Sequence, residues 1–164
     1  MCNKMGNEEK IFIGIDPGKK GAIAVINSKR DVLLLEDYPG NIASCVKILD
    51  KINNMGFKFD RIYAAIEKVH AKSKQGVTSM FSFGENFGAW QGIISMAKYP
   101  LDLPSPQQWA KGVVSKKNNS KSPSVDAATR MFPTVCLYGP RGGAKDGRAE
   151  ALLIADWLRR QYIS

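Results

Sequence analysis

The stretch Ile11–Asn27, I-F-I-G-I-D-P-G-K-K-G-A-I-A-V-I-N, constrains the fold of this chain more than any other. Two short runs of β-branched and apolar residues flank a Pro-Gly-Lys-Lys-Gly turn, the pattern of a β-hairpin. Strand periodicity places Phe12, Gly14 and Asp16 on one face of the first strand. A carboxylate at the end of an apolar strand is costly to bury without a partner, and a metal ion is a common one. Asp also caps turns frequently, so at Asp16 a turn cap and a cation ligand are both open readings. Gly14, the preceding residue on that face, leaves room for another element to come close.

Beyond the hairpin, strand and helix patterns alternate. Asp31–Tyr38 reads as a third strand, ended by Pro39-Gly40. Ile42, Val46, Leu49 and Ile52 recur at helical spacing, which predicts a helix over 41–54 with Asn41 as N-cap. Arg61–Val69 is a fourth strand, expected to lie parallel in the same sheet after the intervening helix. Glu67 sits near its end, on the face of Tyr63 and Ala65. Two strands thus end in acids, and if they are neighbours their carboxylates converge, which is strained without cations between them.

A basic loop, His70–Gly76, leads into a long helix over 77–98. Within it Gly84, Gly88 and Gly92 form one row. Each glycine costs about 1 kcal/mol against alanine in a helix interior, so the row suggests close approach of another backbone, in a second subunit or in the chain's own sheet. Phe81, Phe87 and Trp90 are expected in the core. Leu101–Leu103 reads as a short fifth strand, and Ser105-Pro106 opens a helix carrying Trp109 and Lys111. Lys116, Lys117 and Lys121 then lie in a Ser/Asn-rich segment, read as a solvated loop or as an arm touching phosphates. A short helix over 124–132 and a Gly/Pro-rich flexible loop over 134–144 precede the last element.

That element, Asp146–Tyr162, reads as a strong helix. Asp146 and Glu150 are stacked on one face, continued by Leu153, Ile154 and Trp157, so both acids are expected to point at the protein. Asp156 falls off that stripe and reads as solvated. Four carboxylates, two from strand ends and two from one helix, make a hard-cation site suited to Mg²⁺ or Mn²⁺, and no His or Cys set suits zinc.

The formal charge of +9 points to a polyanionic partner, most commonly nucleic acid. A basic surface would hold phosphates, and acids would hold the metals that attack them; a two-metal site suits phosphodiester hydrolysis. The 164 residues, 44% hydrophobic, suit one α/β domain over 11–164 behind a polar tail over 1–10. No apolar run matches a bilayer span, and the tail lacks the apolar stretch of a signal peptide. Cys2, Cys45 and Cys136 fit neither a disulfide framework nor a zinc site and suggest a reducing cytoplasm.

The element order β-β-β-α-β-α-β-α, with acids on the first strand, the fourth strand and the last helix, resembles the RNase H-like fold, a mixed five-stranded sheet flanked by helices. Within it, I-G-I-D-P-G-x-x-G-A-I-A, I-E-K-V with its following loop, and D-G-R-A-E-A-L-L-I-A resemble the RuvC family of Holliday junction resolvases. The likeness is strongest to compact, phage-type members and runs from about Ile11 to Trp157. It implies Asp16, Glu67, Asp146 and Glu150 as catalytic metal ligands for two Mg²⁺ ions, with Mn²⁺ as substitute. It also implies a homodimer that cuts four-way DNA junctions by paired symmetric nicks, in the cytoplasm of a bacterial or phage-infected cell. Lys111 and Lys121 resemble the family's DNA-contacting lysines. Lys72, Lys74, Lys116, Lys117 and His70 complete the expected DNA-binding set. Two departures stand out. Many bacterial members space the last two acids by three and end in Asp, and they carry an aromatic wedge where this chain has His70. The alternatives are an RNase H-like nuclease acting on other branched DNA or on structured RNA, and a non-catalytic junction-binding module. An actin-like ATPase shares I-G-I-D-x-G but needs a second half-domain.

Overall fold

β1 (Ile11–Asp16) and β2 (Ala22–Asn27) form the expected hairpin, paired antiparallel with Ile11 opposite Asn27 and Asp16 opposite Ala22. The computed structural model describes residues 9–68, 76–115 and 120–163. β3 (Val32–Asp37) adds antiparallel to β2. On the other side of β1 come β4 (Ile62–Ile66) and then β5 (Leu101–Asp102), both parallel to their neighbours. The order β3-β2-β1-β4-β5 makes a mixed five-stranded sheet with β1 at its centre.

A central strand covered on both faces needs apolar residues at every position, and Ile11 through Ile15 are all buried. Phe12, with Ala24 and Ala65, looks to one side of the sheet. Ile11, Ile13 and Ile15 look to the other, where α1 (Ile42–Asn53) and α2 (Val77–Met96) bring Ile48, Ile52, Trp90 and Ile94. The Phe12 side is covered by α3 (Pro106–Ala110), α4 (Pro123–Met131) and α5 (Asp146–Tyr162). Asn41 does cap α1, its Oδ1 accepting from the Ser44 N–H at 2.8 Å. At the start of α3 the Ser105 N–H donates to Gln108 Oε1 at 2.8 Å.

The space left by Gly14 is filled by α5. A Cβ at Gly14 would lie 2.2 Å from the Ala151 carbonyl oxygen and 2.4 Å from the Ala155 nitrogen. The same holds at the start of α5, where a Cβ at Gly147 would lie 2.1 Å from the Lys20 carbonyl oxygen. Backbone-to-backbone contact at both places fixes α5 along β1, and Ala149, Ala151 and Ala155 are fully buried between them.

Several expectations need correcting. A Cβ at Gly84, Gly88 or Gly92 meets no described atom within 4 Å, so this row is not the seat of the chain's own sheet. Phe81 is 72% exposed rather than in the core, because the buried residues of α2 begin at Asn86 and its first turns carry no core residue. Phe87 is half-buried and Trp90 buried. Asp156 is not solvated: it is fully buried and accepts from Arg30 at 2.7 Å, Arg159 at 2.9 Å and Arg160 at 3.1 Å. Arg159 and Arg160 reach it from the next turn of α5, while Arg30 comes from the β2–β3 turn. The expected loop over 134–144 holds a bridge between Tyr138 and Ala144 and a turn in which the Gly142 N–H donates to the Gly139 carbonyl at 2.9 Å. Among the described residues, no helix is long and apolar enough to cross a membrane.

Candidate active site

Asp16 closes β1, and the Glu67 N–H donates to the Ile15 carbonyl at 3.1 Å, extending the β1–β4 register one residue past β4. Parallel pairing therefore sets Asp16 and Glu67 side by side at the carboxyl ends of two neighbouring strands. α5, pressed on β1 at Gly14, carries Glu150 to the same place. One carboxylate oxygen from each of Asp16, Glu67 and Glu150 lies within 4.8 Å of the others, a grouping able to hold a metal ion. Asp146, the fourth acid expected from the sequence, stands outside this trio. It is exposed at the first residue of α5, one helical turn before Glu150 and about 6 Å along the axis.

Each member of the trio is steadied by a neutral donor from a different element. The Gly18 N–H donates to Asp16 Oδ1 at 3.0 Å. The indole N–H of Trp109, on α3, donates to Glu67 Oε1 at 3.1 Å in a buried contact. The Ser124 hydroxyl, on α4, donates to Glu150 Oε1 at 3.2 Å. Burial raises the Asp16 pKa, and the Gly18 N–H only partly offsets it. Burial is also the main cause pushing Glu150 up to about 8, reinforced by the negative charges of Asp16 and Glu67. Crowded, desolvated carboxylates with oxygen donors alone fit a hard divalent cation.

The shift at Glu150 fixes the sign of a pH dependence. Its folded-state pKa of about 8 lies above the usual 4.5, so between those values the unfolded chain gives up a proton that the folded protein keeps. Stability from this group is complete below pH 4.5 and is lost as pH rises toward 8. In EDTA the protein is expected to be more stable at pH 5.5 than at pH 8.5, by roughly 3 kcal/mol. Thermal melts of the protein and of Glu150→Gln check this; equal pH dependence in the two would show that Glu150 is not the source.

Of the expected DNA-binding residues, Lys111 is exposed at the end of α3 and Lys121 is exposed just before α4. They flank the two helices whose Trp109 and Ser124 hold the acids. His70, Lys72, Lys74, Lys116 and Lys117 lie outside the described residues. The sequence reading missed the roles of Trp109 and Ser124. A Trp four residues into a polar, Pro-initiated helix was a visible signal, but its partner lies 42 residues away.

No family model matches the sequence, and no curated protein does. Solved structures do. Thermus thermophilus RuvC in complex with Holliday junction substrate superposes with a TM-score of 0.64 at 16% identity, covering 93% of this chain and 96% of that one. This chain has a RuvC-like fold. A second T. thermophilus RuvC structure gives a TM-score of 0.60, again at 16% identity and with the same coverage of 93% and 96%. Identity this low, across nearly the whole of both chains, means that the RuvC-like architecture is carried here by a largely different set of side chains.

Proposed function

We propose that this chain is a metal-dependent, structure-selective endonuclease that resolves four-way DNA junctions by paired symmetric nicks. One observation carries the reading. Asp16, Glu67 and Glu150, far apart in sequence, meet at the carboxyl ends of β1 and β4 in a RuvC-like sheet. The charge of +9 and the Holliday junction substrate in one of the similar RuvC structures support DNA as the partner.

Asp16, Glu67 and Glu150 would hold the metal, with Asp146 as a fourth carboxylate on the rim. Two bound Mg²⁺ ions supply activation of water and stabilisation of the leaving oxygen in phosphodiester hydrolysis. The chain's own part is to hold the acids in place and to position the phosphodiester, with Lys111 and Lys121 on the DNA backbone. His70, Lys72, Lys74, Lys116 and Lys117, outside the described residues, join that set in the proposal. Two symmetric nicks need two copies of a one-site chain, hence a two-fold homodimer. The unfilled glycine row of α2, with exposed Phe81 nearby, is the proposed contact. Gly88→Trp should give a folded monomer in sedimentation; an unchanged assembly would reject this surface.

The deciding experiment incubates the protein with synthetic four-way junctions, forks, linear duplex and structured RNA, in Mg²⁺ and in EDTA. Paired nicks on the junction, abolished by EDTA, are expected. Cleavage confined to RNA or to forks would replace the junction reading, and binding without cleavage would leave a non-catalytic module. Within this reading Trp109 is a positioning residue. Trp109→Phe removes the indole donor to Glu67 while keeping most of the bulk, and loss of such a support costs about 10–100-fold. The fall should be partly recovered at raised Mg²⁺. A fall in rate that Mg²⁺ does not relieve, together with a lowered melting temperature, would mark Trp109 as core alone.

A further inference from the structure

Beside the acids lies a recess of about 820 Å³, bounded by the β1–β2 turn, the end of β3 and the segment leading into α5. Its cations are Lys19, Lys20, Arg141, Lys145 and Arg148, against the two carboxylates Asp37 and Asp146. Asp37 is already engaged: it accepts from Arg148 at 2.6 Å and from Lys145 at 3.2 Å, and Arg148 first, then Lys145, holds its pKa below the usual range. Lys19, Lys20 and Arg141 are exposed and form no salt bridge among the described residues. Charge at this recess is therefore positive and unspent.

We infer that this recess binds a phosphate of the cut DNA strand next to the scissile one, through Lys19, Lys20 and Arg141, and so positions the reacting phosphodiester over the acids. The inference rests on the function proposed above and adds to it a substrate-positioning site. Two features make the recess a built one. The segment 137–145 closes on itself, with the Gly139 N–H on the Gly143 carbonyl at 2.8 Å, the Lys145 N–H on the Leu137 carbonyl at 2.9 Å, and a bridge between Tyr138 and Ala144. The recess is also locked in register with the acids. Gly147, at the start of α5, has no room for a Cβ against the Lys20 carbonyl and the Gly21 Cα. The same turn carries the Gly18 N–H that holds Asp16. Glu150 lies one helical turn up α5 from Asp146, which lines the recess, a separation of about 6 Å. Phosphates of one strand follow each other every ~3.4 Å along the duplex axis, so a neighbour of the scissile group comes within reach. Charges dominate the lining, and its one aromatic, Tyr38, donates its hydroxyl to Asn86 Oδ1 at 2.6 Å, which suits the backbone more than the bases.

The test is the triple variant K19Q/K20Q/R141Q, which spares Lys145 and Arg148 because they hold Asp37. Affinity for a labelled four-way junction is measured in EDTA across a salt series, and cleavage in Mg²⁺ on junctions carrying a single neutral methylphosphonate near the cut. With a melting temperature unchanged, the variant should lose about 0.9 in log–log salt slope for each contact removed and cut at least tenfold more slowly. One methylphosphonate adjacent to the cut should slow the wild type and leave the variant indifferent. An unchanged slope and affinity, or a variant that still senses that methylphosphonate, overturns the recess while leaving the nuclease reading intact. A wild type that cuts nothing, beside a variant that loses slope, overturns the nuclease reading and the positioning role with it, and leaves the recess a DNA-phosphate site alone.

Discussion

Asp16→Asn is expected to lower junction cleavage by at least about 10³-fold, some 4 kcal/mol of transition-state stabilisation, with junction binding in EDTA nearly unchanged. The reason is geometric. Asp16 is one of three carboxylates whose oxygens fall within 4.8 Å of each other, so the amide removes a charged ligand from the centre of the group. Fold and turn should survive, because the asparagine Oδ1 can still accept from the Gly18 N–H. Stability without metal should hold or rise, since the Asp16 charge is one cause of the raised pKa of Glu150. The wild type should therefore gain melting temperature on adding Mg²⁺ at pH 8, and the variant should gain much less. Single-turnover cleavage and paired melts measure both effects. An Asp16→Asn protein that cuts junctions at the wild-type rate would sink the metal site.

Gly14→Ala should be among the most damaging single methyls in the protein. Its Cβ would sit 2.2 Å from the Ala151 carbonyl oxygen and 2.4 Å from the Ala155 nitrogen, and both are backbone atoms of α5. A flexible side chain could swing away; a helix pressed on the central strand has to lift as a body. Lifting it opens the Phe12 face of the core and withdraws Glu150 from Asp16 and Glu67. Overpacking of well-packed sites costs typically 1–3 kcal/mol, and a backbone clash belongs at or above the top of that range. At about 2–4 °C per kcal/mol for a chain of this size, the melting temperature should fall by roughly 10 °C or the protein should not fold. Gly84→Ala is the control, read in dilute protein. Its Cβ meets no described atom within 4 Å, so the same chemical change should stabilise α2 by up to about 1 kcal/mol. Equal effects at the two positions would refute this account of how α5 is seated.

Local patterns determined much of this protein. The apolar runs around Pro17-Gly18 made the hairpin, Asn41 capped α1, and Gly14 left the space that a neighbouring element fills. The parallel direction of β4 followed from the helix between β3 and β4, whereas its place beside β1, and with it the meeting of Asp16 and Glu67, is a matter of strand order that the sequence left open. The local features depend on periods of two and 3.6 residues and on turn chemistry, which act over a few residues.

Only the tertiary structure decided the rest. Helical spacing put Asp146 and Glu150 on one face, but where α5 sits along β1 determines that Glu150 joins the trio and Asp146 lines the recess. Asp156 looked solvated by its position on the helix wheel, yet the β2–β3 turn brings Arg30 to it from 126 residues away. Trp109 meets Glu67 across 42 residues, and the β1–β2 turn meets the first turn of α5 only because Gly147 allows backbone contact. Such pairings are set by the order of strands and the axial position of one helix. Neither leaves a periodic trace in the chain, because side-chain period records which face is buried and not what it is buried against.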